Sequence, residues 1–362
     1  MVANIDIDSS TFFSKEYSEN PYPTLKLLRD QQPVYYNPLI KQWMVTRYED
    51  VMNIFADTEN FSASPNGDHI GAVFGPTLME FDGEEHRKLR GVVAPEFVGM
   101  KLQSLLPIVQ RNAMALIQKF TTKQASLIAE KAALKGEIDI VDDFATRLPL
   151  NVILDVLDLP QEAHEMFHSW YPAMMNGISG GPNLRIAGQK ANAEYHNYLD
   201  PLIKERSLNP GDDLLSRLSV TEVDGKRMTP AEIKSFASLI LVAGAETTDK
   251  AIANLWYQLL AHPDQWKAVQ GDPELLDRAF TEMMRIHGPA GAQTRKTIKD
   301  VNLHGVTIPA GEYVHLSLYG ANRDERVFKD PDTFNLFRDD LYFSKELRSG
   351  YFKDGTAGHL GF

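Results

Sequence analysis

Between Ile233 and Leu260 apolar residues recur at nearly every turn: Ile233, Phe236, Leu239, Ile240, Val242, Ile252, Leu255, Leu259 and Leu260. They cover most of a helix circumference, which describes a buried spine rather than a surface helix. Thr229-Pro230-Ala231-Glu232 supplies its start, with an N-cap threonine, proline at the first position and glutamate at the third. His262-Pro263 marks its end. Ala243-Gly244-Ala245-Glu246-Thr247-Thr248 interrupts the apolar run at mid-helix. Glycine there costs about 1 kcal/mol relative to alanine. A threonine hydroxyl can turn back onto a carbonyl of the preceding turn. A carboxylate drawn out of water must be paired or hydrogen-bonded. Stability alone selects none of these, so the pattern predicts a helix that opens beside something reactive. Glu246, Asp249 and Lys250 also make the stretch too polar for a membrane span.

Other patterns are weaker. Pro21-Tyr22-Pro23 leads into a short helix that ends before Pro33. Val34-Tyr35-Tyr36 and Trp43-Met44-Val45-Thr46 read as strands joined through Asn37-Pro38-Leu39. From Tyr48 to about Leu260 the periodicity is mostly helical, broken by Gly/Pro/Asn clusters at 64–76, 177–183 and 209–213. Strand character returns at Val301–Leu303 and Tyr313–Leu316, around the turn Pro309-Ala310-Gly311. The expected fold is mainly α, of the α+β type. It is one domain over 1–362, with a small antiparallel sheet built from the N- and C-terminal parts.

Composition narrows the function. The 362 residues are 43% hydrophobic with a net charge of -12, which argues against nucleic acid or an anionic membrane as a principal partner. The first ten residues show no signal peptide or anchor, so a cytoplasmic protein is expected. There is no cysteine, which removes disulfides, cysteine-ligated metals and cysteine nucleophiles.

Three constellations could carry chemistry. His164-Glu165-Met166-Phe167-His168 fits H-E-x-x-H, which sets two imidazoles one helical turn apart with a glutamate as base, as a zinc peptidase requires. Pro172 follows closely and Glu194 is the only distant third ligand on offer, so a solvated helix face is the plainer reading. Glu282-Met283-Met284-Arg285 lies on a helix over 274–287, and spacing alone reads it as an exposed pair three residues apart. Asp82 to Arg90 opens with an N-cap aspartate and places His86 and Arg90 on one face. Two donors so placed suit the carboxylates of a ligand, and a basic solvent face is the alternative.

Taken in order, these segments resemble a bacterial cytochrome P-450 over nearly the whole chain. The likeness runs through Pro21-Tyr22-Pro23, Trp43 to Val51, Asp82 to Arg90, Ala243 to Thr248, Glu282 to Arg285, Ala321-Asn322-Arg323-Asp324 and Asp330 to Arg338. The resemblance implies a monooxygenase with haem b as cofactor, acting on a small organic molecule. Its electrons would come from partners of the ferredoxin and ferredoxin reductase type. It implies that His86, Arg90 and Arg295 hold the haem propionates, and that Ala243 and Gly244 lie against the cofactor. Glu246 and Thr247 would manage dioxygen and its protons. Glu282 and Arg285 would form a buried structural pair joined by Arg338. Segments 66–80, 170–186 and 289–294 would line the substrate pocket with Phe74, Met174, Met175 and Ala290, and Ala290-Gly291-Ala292 hints at room there. Gly358-His359-Leu360-Gly361-Phe362 resembles the approach to the loop bearing the cysteine ligand of iron, which would follow Phe362. A truncated form is therefore expected, and Asp339 to Thr356 reads as an insertion. Some relatives of this kind lack the cysteine and serve as non-catalytic partner or scaffold proteins, which is the second reading. The acid–threonine pair, which a scaffold has no need to keep, favours the first.

Overall fold

The computed structural model describes residues 7–129, 138–343 and 350–361. The first six residues and part of the Asp339–Thr356 insertion lie outside this set. The chain divides into two compact units, one made of Met1–Pro65 with Ala251–Phe362, the other of Asn66–Lys250. Among the described residues no single helix is long and apolar enough to cross a membrane.

After a single helical turn at Lys15–Glu19, the first unit continues with helix α1 (Tyr22–Gln31), whose early proline sits where a missing N–H is harmless. Strands β1 (Val34–Asn37) and β2 (Gln42–Val45) pair antiparallel. The Asn37 carboxamide accepts the Leu39 N–H at 3.0 Å and Lys41 takes a left-handed φ of 53°, which turns the chain. Helix α2 (Tyr48–Ala56) and the short strand β3 (Phe61–Ser62) follow.

The second unit holds helices α3 (Gly83–Val93), α4 (Leu106–Ala129), α5 (Arg147–Val156), α6 (His164–Ser179), α7 (Pro182–Leu208) and α8 (Leu214–Val220). A hairpin of β4 (Glu222–Val223) and β5 (Lys226–Arg227) turns on Asp224-Gly225, both with positive φ. Helix α9 (Pro230–Ala261) comes next, and the unit boundary falls within it. Its capping box forms as the sequence predicts. The Thr229 N–H donates to Glu232 Oε2 at 2.7 Å, and the Glu232 N–H donates to Thr229 Oγ1 at 3.3 Å. One apolar core joins Leu150, Leu154, Phe167, Met174, Tyr195, Leu199 and Leu241.

The chain then completes the first unit with α10 (Pro263–Gly271), α11 (Leu275–His287), β6 (Ala292–Thr297), β7 (Val301–Leu303), β8 (Val306–Ile308) and β9 (Tyr313–Ser317). A five-stranded sheet has the order β1-β2-β9-β6-β3. It draws on both ends of the chain, as expected, but it is mixed rather than antiparallel, because β2 runs parallel to β9 with Trp43 opposite Val314. Strand β6 is unheralded. Its polar sequence, Ala-Gln-Thr-Arg-Lys-Thr, lacks apolar alternation, and pairing on both sides with β9 and β3 makes it a strand. The turn at Pro309–Gly311 forms as expected, with Gly311 at a φ of 85° leading into β9, and a further turn at His304-Gly305 joins β7 to β8. Val34, Val45, Tyr48, Phe61, Val314 and Leu316 pack around this sheet.

Candidate active site

Helix α9 does not open at residues 243–248; it is helical throughout. The polar groups are accommodated within it. Thr247 Oγ1 donates to the Ala243 carbonyl at 2.8 Å, the back-bond a threonine can make one turn down. Glu246 Oε1 accepts from Lys250 Nζ at 2.6 Å, an i,i+4 pair along the helix. Gly244 has a steric cause, since a Cβ there would stand 2.7 Å from Ile153 Cδ1. The exposure pattern is unusual for a core helix. Leu241, Val242 and Ala245 are buried, whereas Ala243 and Thr248 are exposed and Gly244, Glu246 and Thr247 are half-buried. Ala243 and Thr247 therefore form a partly open stripe one turn long. Along it the Thr247 hydroxyl, its proton committed to a carbonyl, keeps its lone pairs for another donor.

Polar groups from other helical segments of the second unit reach this part of α9. Thr146 Oγ1 donates to Asp249 Oδ2 at 3.2 Å. Burial raises the Asp249 carboxyl above its ordinary value, against the Thr146 hydrogen bond and the Lys250 charge. Burial, with the charges of Glu246 and Asp249, also pushes the Tyr171 phenol up. No local pattern marks Thr146 or Tyr171, because their partner lies far along the chain.

On α3, Asp82 holds the N-cap position with extended backbone but makes no side-chain capping bond, and the helix enters through Gly83 at a φ of 57°. His86 is half-buried and Arg90 exposed, one turn apart. Lys88 on the same helix pairs with Glu84 and Asp224. In the first unit, Arg295 stands on β6 with its guanidinium 5.0 Å from the Phe55 ring centre, and its Nη1 donates to the Thr294 carbonyl.

Glu282, Arg285 and Arg338 come together as a saturated cluster, not as an exposed pair. Arg285 Nε and Nη2 donate to the two Glu282 oxygens, each at 2.8 Å, the bidentate geometry a guanidinium offers a carboxylate. Glu282 Oε1 also accepts from Arg338 Nε at 3.1 Å and from the Asn335 N–H at 3.0 Å. Arg285 Nη1 donates to the Asn322 and Pro331 carbonyls. Glu282 is 0% exposed and Arg285 1%.

Of the pocket residues, Phe74 and Met174 are fully buried in the second unit's core and Met175 is half-buried against it. Ala290 packs on the first unit's sheet core. The space implied at Ala290-Gly291-Ala292 is taken in part by Tyr319, whose ring would lie 2.7 Å from a Cβ on Gly291. The zinc arrangement does not assemble. His168 Nε2 is hydrogen-bonded to Asn151 Oδ1 at 3.0 Å, and Glu194 accepts from the Trp170 indole. Among the described residues no three His, Asp or Glu side chains gather to hold a metal.

Known proteins give the chain its context. The family model described as Cytochrome P-450 matches residues 40–340. The chain is 31% identical over 353 residues to pulcherriminic acid synthase of Bacillus subtilis (strain 168), covering 96% of this chain and 83% of that protein. It is 34% identical over 358 residues to the cytochrome P-450 monooxygenase PikC of Streptomyces venezuelae, covering 96% and 78%. The solved ligand-free structure of cytochrome P-450 TbtJ1 superposes with a TM-score of 0.81 at 30% identity, over 96% of this chain and 83% of that one.

Proposed function

Because the chain belongs to the cytochrome P-450 family, we propose that Glu246 and Thr247 are the acid and alcohol of a haem monooxygenase. Haem, when bound, supplies the oxidising chemistry by which one atom of dioxygen enters a small organic molecule, with electrons from redox partners. The residues present suit haem b on two counts. The partly open stripe of Ala243, Gly244 and Thr247 on a buried helix offers a flat, small-residue surface with one hydroxyl. His86 and Arg90 offer two donors on one helix face, and neither makes a side-chain hydrogen bond or ion pair among the described residues. Arg295 would be the third propionate partner. The 362 residues hold no cysteine, so the thiolate of the family's iron is not drawn from them.

The chain's own residues then have distinct tasks. Thr247 Oγ1 accepts a hydrogen bond from the open side while its own O–H donates to the Ala243 carbonyl. Glu246, held at the helix surface by Lys250, takes protons from solvent and passes them toward that hydroxyl. Adjacent residues diverge by about 100° around a helix, so this transfer runs through water rather than directly. Segments 66–80 and 170–186 face the substrate, with half-buried Met175 at its edge and buried Phe74 and Met174 shaping it from behind. We propose ferredoxin with its reductase as the electron source.

The observation that carries this reading is the open stripe of Ala243 and Thr247 on an otherwise buried helix. The test is haem titration of the chain, followed at the Soret band. Uptake of one haem per chain, lost in Ala243→Phe, is the expected result, and uptake unchanged in that variant overturns the placement of haem against this stripe.

A further inference from the structure

Ala72–Phe74 is the last turn of a helical run over 65–74, and the last carbonyls of a helix have no partner within it. It ends at Gly75, whose φ of 82° takes the chain out of the helix and leaves three successive carbonyls without a helical continuation. Each finds a side-chain donor instead. Gln189 Nε2 reaches the Ala72 carbonyl at 2.8 Å, Asn192 Nδ2 the Val73 carbonyl at 3.0 Å, and Ser235 Oγ the Phe74 carbonyl at 3.0 Å. The first two donors stand three residues apart on one face of α7, and the third lies on α9.

A second layer sets the direction of these bonds. Ser238, fully buried, gives its single hydroxyl proton to Asn192 Oδ1 at 2.7 Å. Its oxygen must then accept from His196 Nε2, which lies 2.9 Å away. Burial, helped by Lys234 and opposed by Asp200, pulls His196 down to about 4, so the ring stays neutral. The result is an ordered chain from His196 through Ser238 and Asn192 to Val73. A buried asparagine that is satisfied on both its oxygen and its nitrogen rigidifies what it touches.

We propose that Gln189, Asn192 and Ser235 are positioning residues that latch the Ala72–Phe74 turn, and with it the substrate-facing segment 66–80, onto α7 and α9. The proposal rests on the reading of 66–80 as a pocket wall. It assigns substrate shape to residues that need not touch the substrate. Variation at Asn192 or Ser235 would shift Phe74 without altering the pocket's own side chains.

Amide hydrogen exchange and fluorine NMR on the chain itself, with 4-fluorophenylalanine at position 74, test this without haem or substrate. Asn192→Asp is isosteric, keeps the acceptor for Ser238 and removes the donor to Val73. Gln189→Glu removes the donor to the Ala72 carbonyl at an exposed position, where folding is not at risk. Exchange across 66–80 should rise about tenfold in the first and about threefold in the second, the range one net hydrogen bond supports. The Phe74 fluorine line should shift or split in both. Gln189→Arg, which restores a donor, should return wild-type exchange. Exchange in α11 should not change. Unaltered exchange at 66–80 in the folded variants overturns the latch, and so does an increase spread evenly over α7 and α9. Because no ligand is present, either failure leaves the pocket reading standing. That reading would fail separately if Phe74→Ala left substrate binding by the holoenzyme unchanged.

Discussion

Two glutamates on two long helices make contrasting use of the same partners. Glu282 on α11 is 0% exposed, and its two oxygens receive four donors from Arg285, Arg338 and the Asn335 backbone. Glu246 on α9 is half-buried and held by one lysine that is itself half-exposed. The first carboxylate is enclosed by donors that all belong to the fold, and its task is to hold structure together. The second is tethered loosely at the edge of an open stripe. Saturation marks a structural charge, and residual capacity marks a chemical one.

The same substitution at both sites gives the sharpest break in this comparison. Glu282→Gln leaves Arg285 and Arg338 buried against an amide that cannot neutralise them. It should cost about 3–5 kcal/mol in chemical denaturation, enough to prevent stable folding in many proteins. Glu246→Gln removes only a surface-type i,i+4 pair and should move stability by no more than about 0.5 kcal/mol. Equal losses at the two sites would erase the distinction. A smaller effect is expected at Gly244→Ala. The gain of about 1 kcal/mol in helix propensity is outweighed by about 1–3 kcal/mol of overpacking against Ile153, for a net destabilisation of about 1 kcal/mol. Ile153→Val in the same chain should relieve it, and a double-mutant cycle with no coupling would show that Ile153 simply moves aside. The smallest effect belongs to Asp249. Its carboxyl is raised by burial, so the folded chain binds that proton more tightly than the unfolded one. Stability contributed by the protonated form is then lost as pH rises through the folded value. Asp249→Asn should flatten this slope in a stability-against-pH series and raise stability at neutral pH by a few tenths of a kcal/mol. A steeper slope in the variant would reverse the assignment.

How much of this is legible in the amino acids depends on how far apart the partners lie. The start of α9 is written in four adjacent residues, and the capping box forms as read. The back-bond of Thr247 is equally local. The Glu282 cluster is not: helical periodicity places Glu282 at the edge of an apolar face, and its third partner, Arg338, comes from a loop beyond the sheet. Only the family resemblance joined those residues. Gly244 also meets a constraint that no local pattern shows, since a Cβ there would press on Ile153, which belongs to another helix. Strand β6 defeats pattern reading altogether, because its strand character comes from its two neighbours.

The parallel pairing of β2 with β9 has a consequence for how the molecule is made. Strand β2 leaves the ribosome early, yet its neighbour in the sheet is encoded after the whole of Asn66–Lys250. At about 5–20 residues per second, the wait is on the order of ten seconds or more. The second unit is contiguous in sequence and can begin to fold during that interval. The first cannot finish its sheet until Tyr313–Ser317 arrives, and it must close a long loop when it does. Until then β2 is an unpaired edge bearing Trp43 and Val45, so the nascent chain is most prone to aggregate while its second unit is still being synthesised.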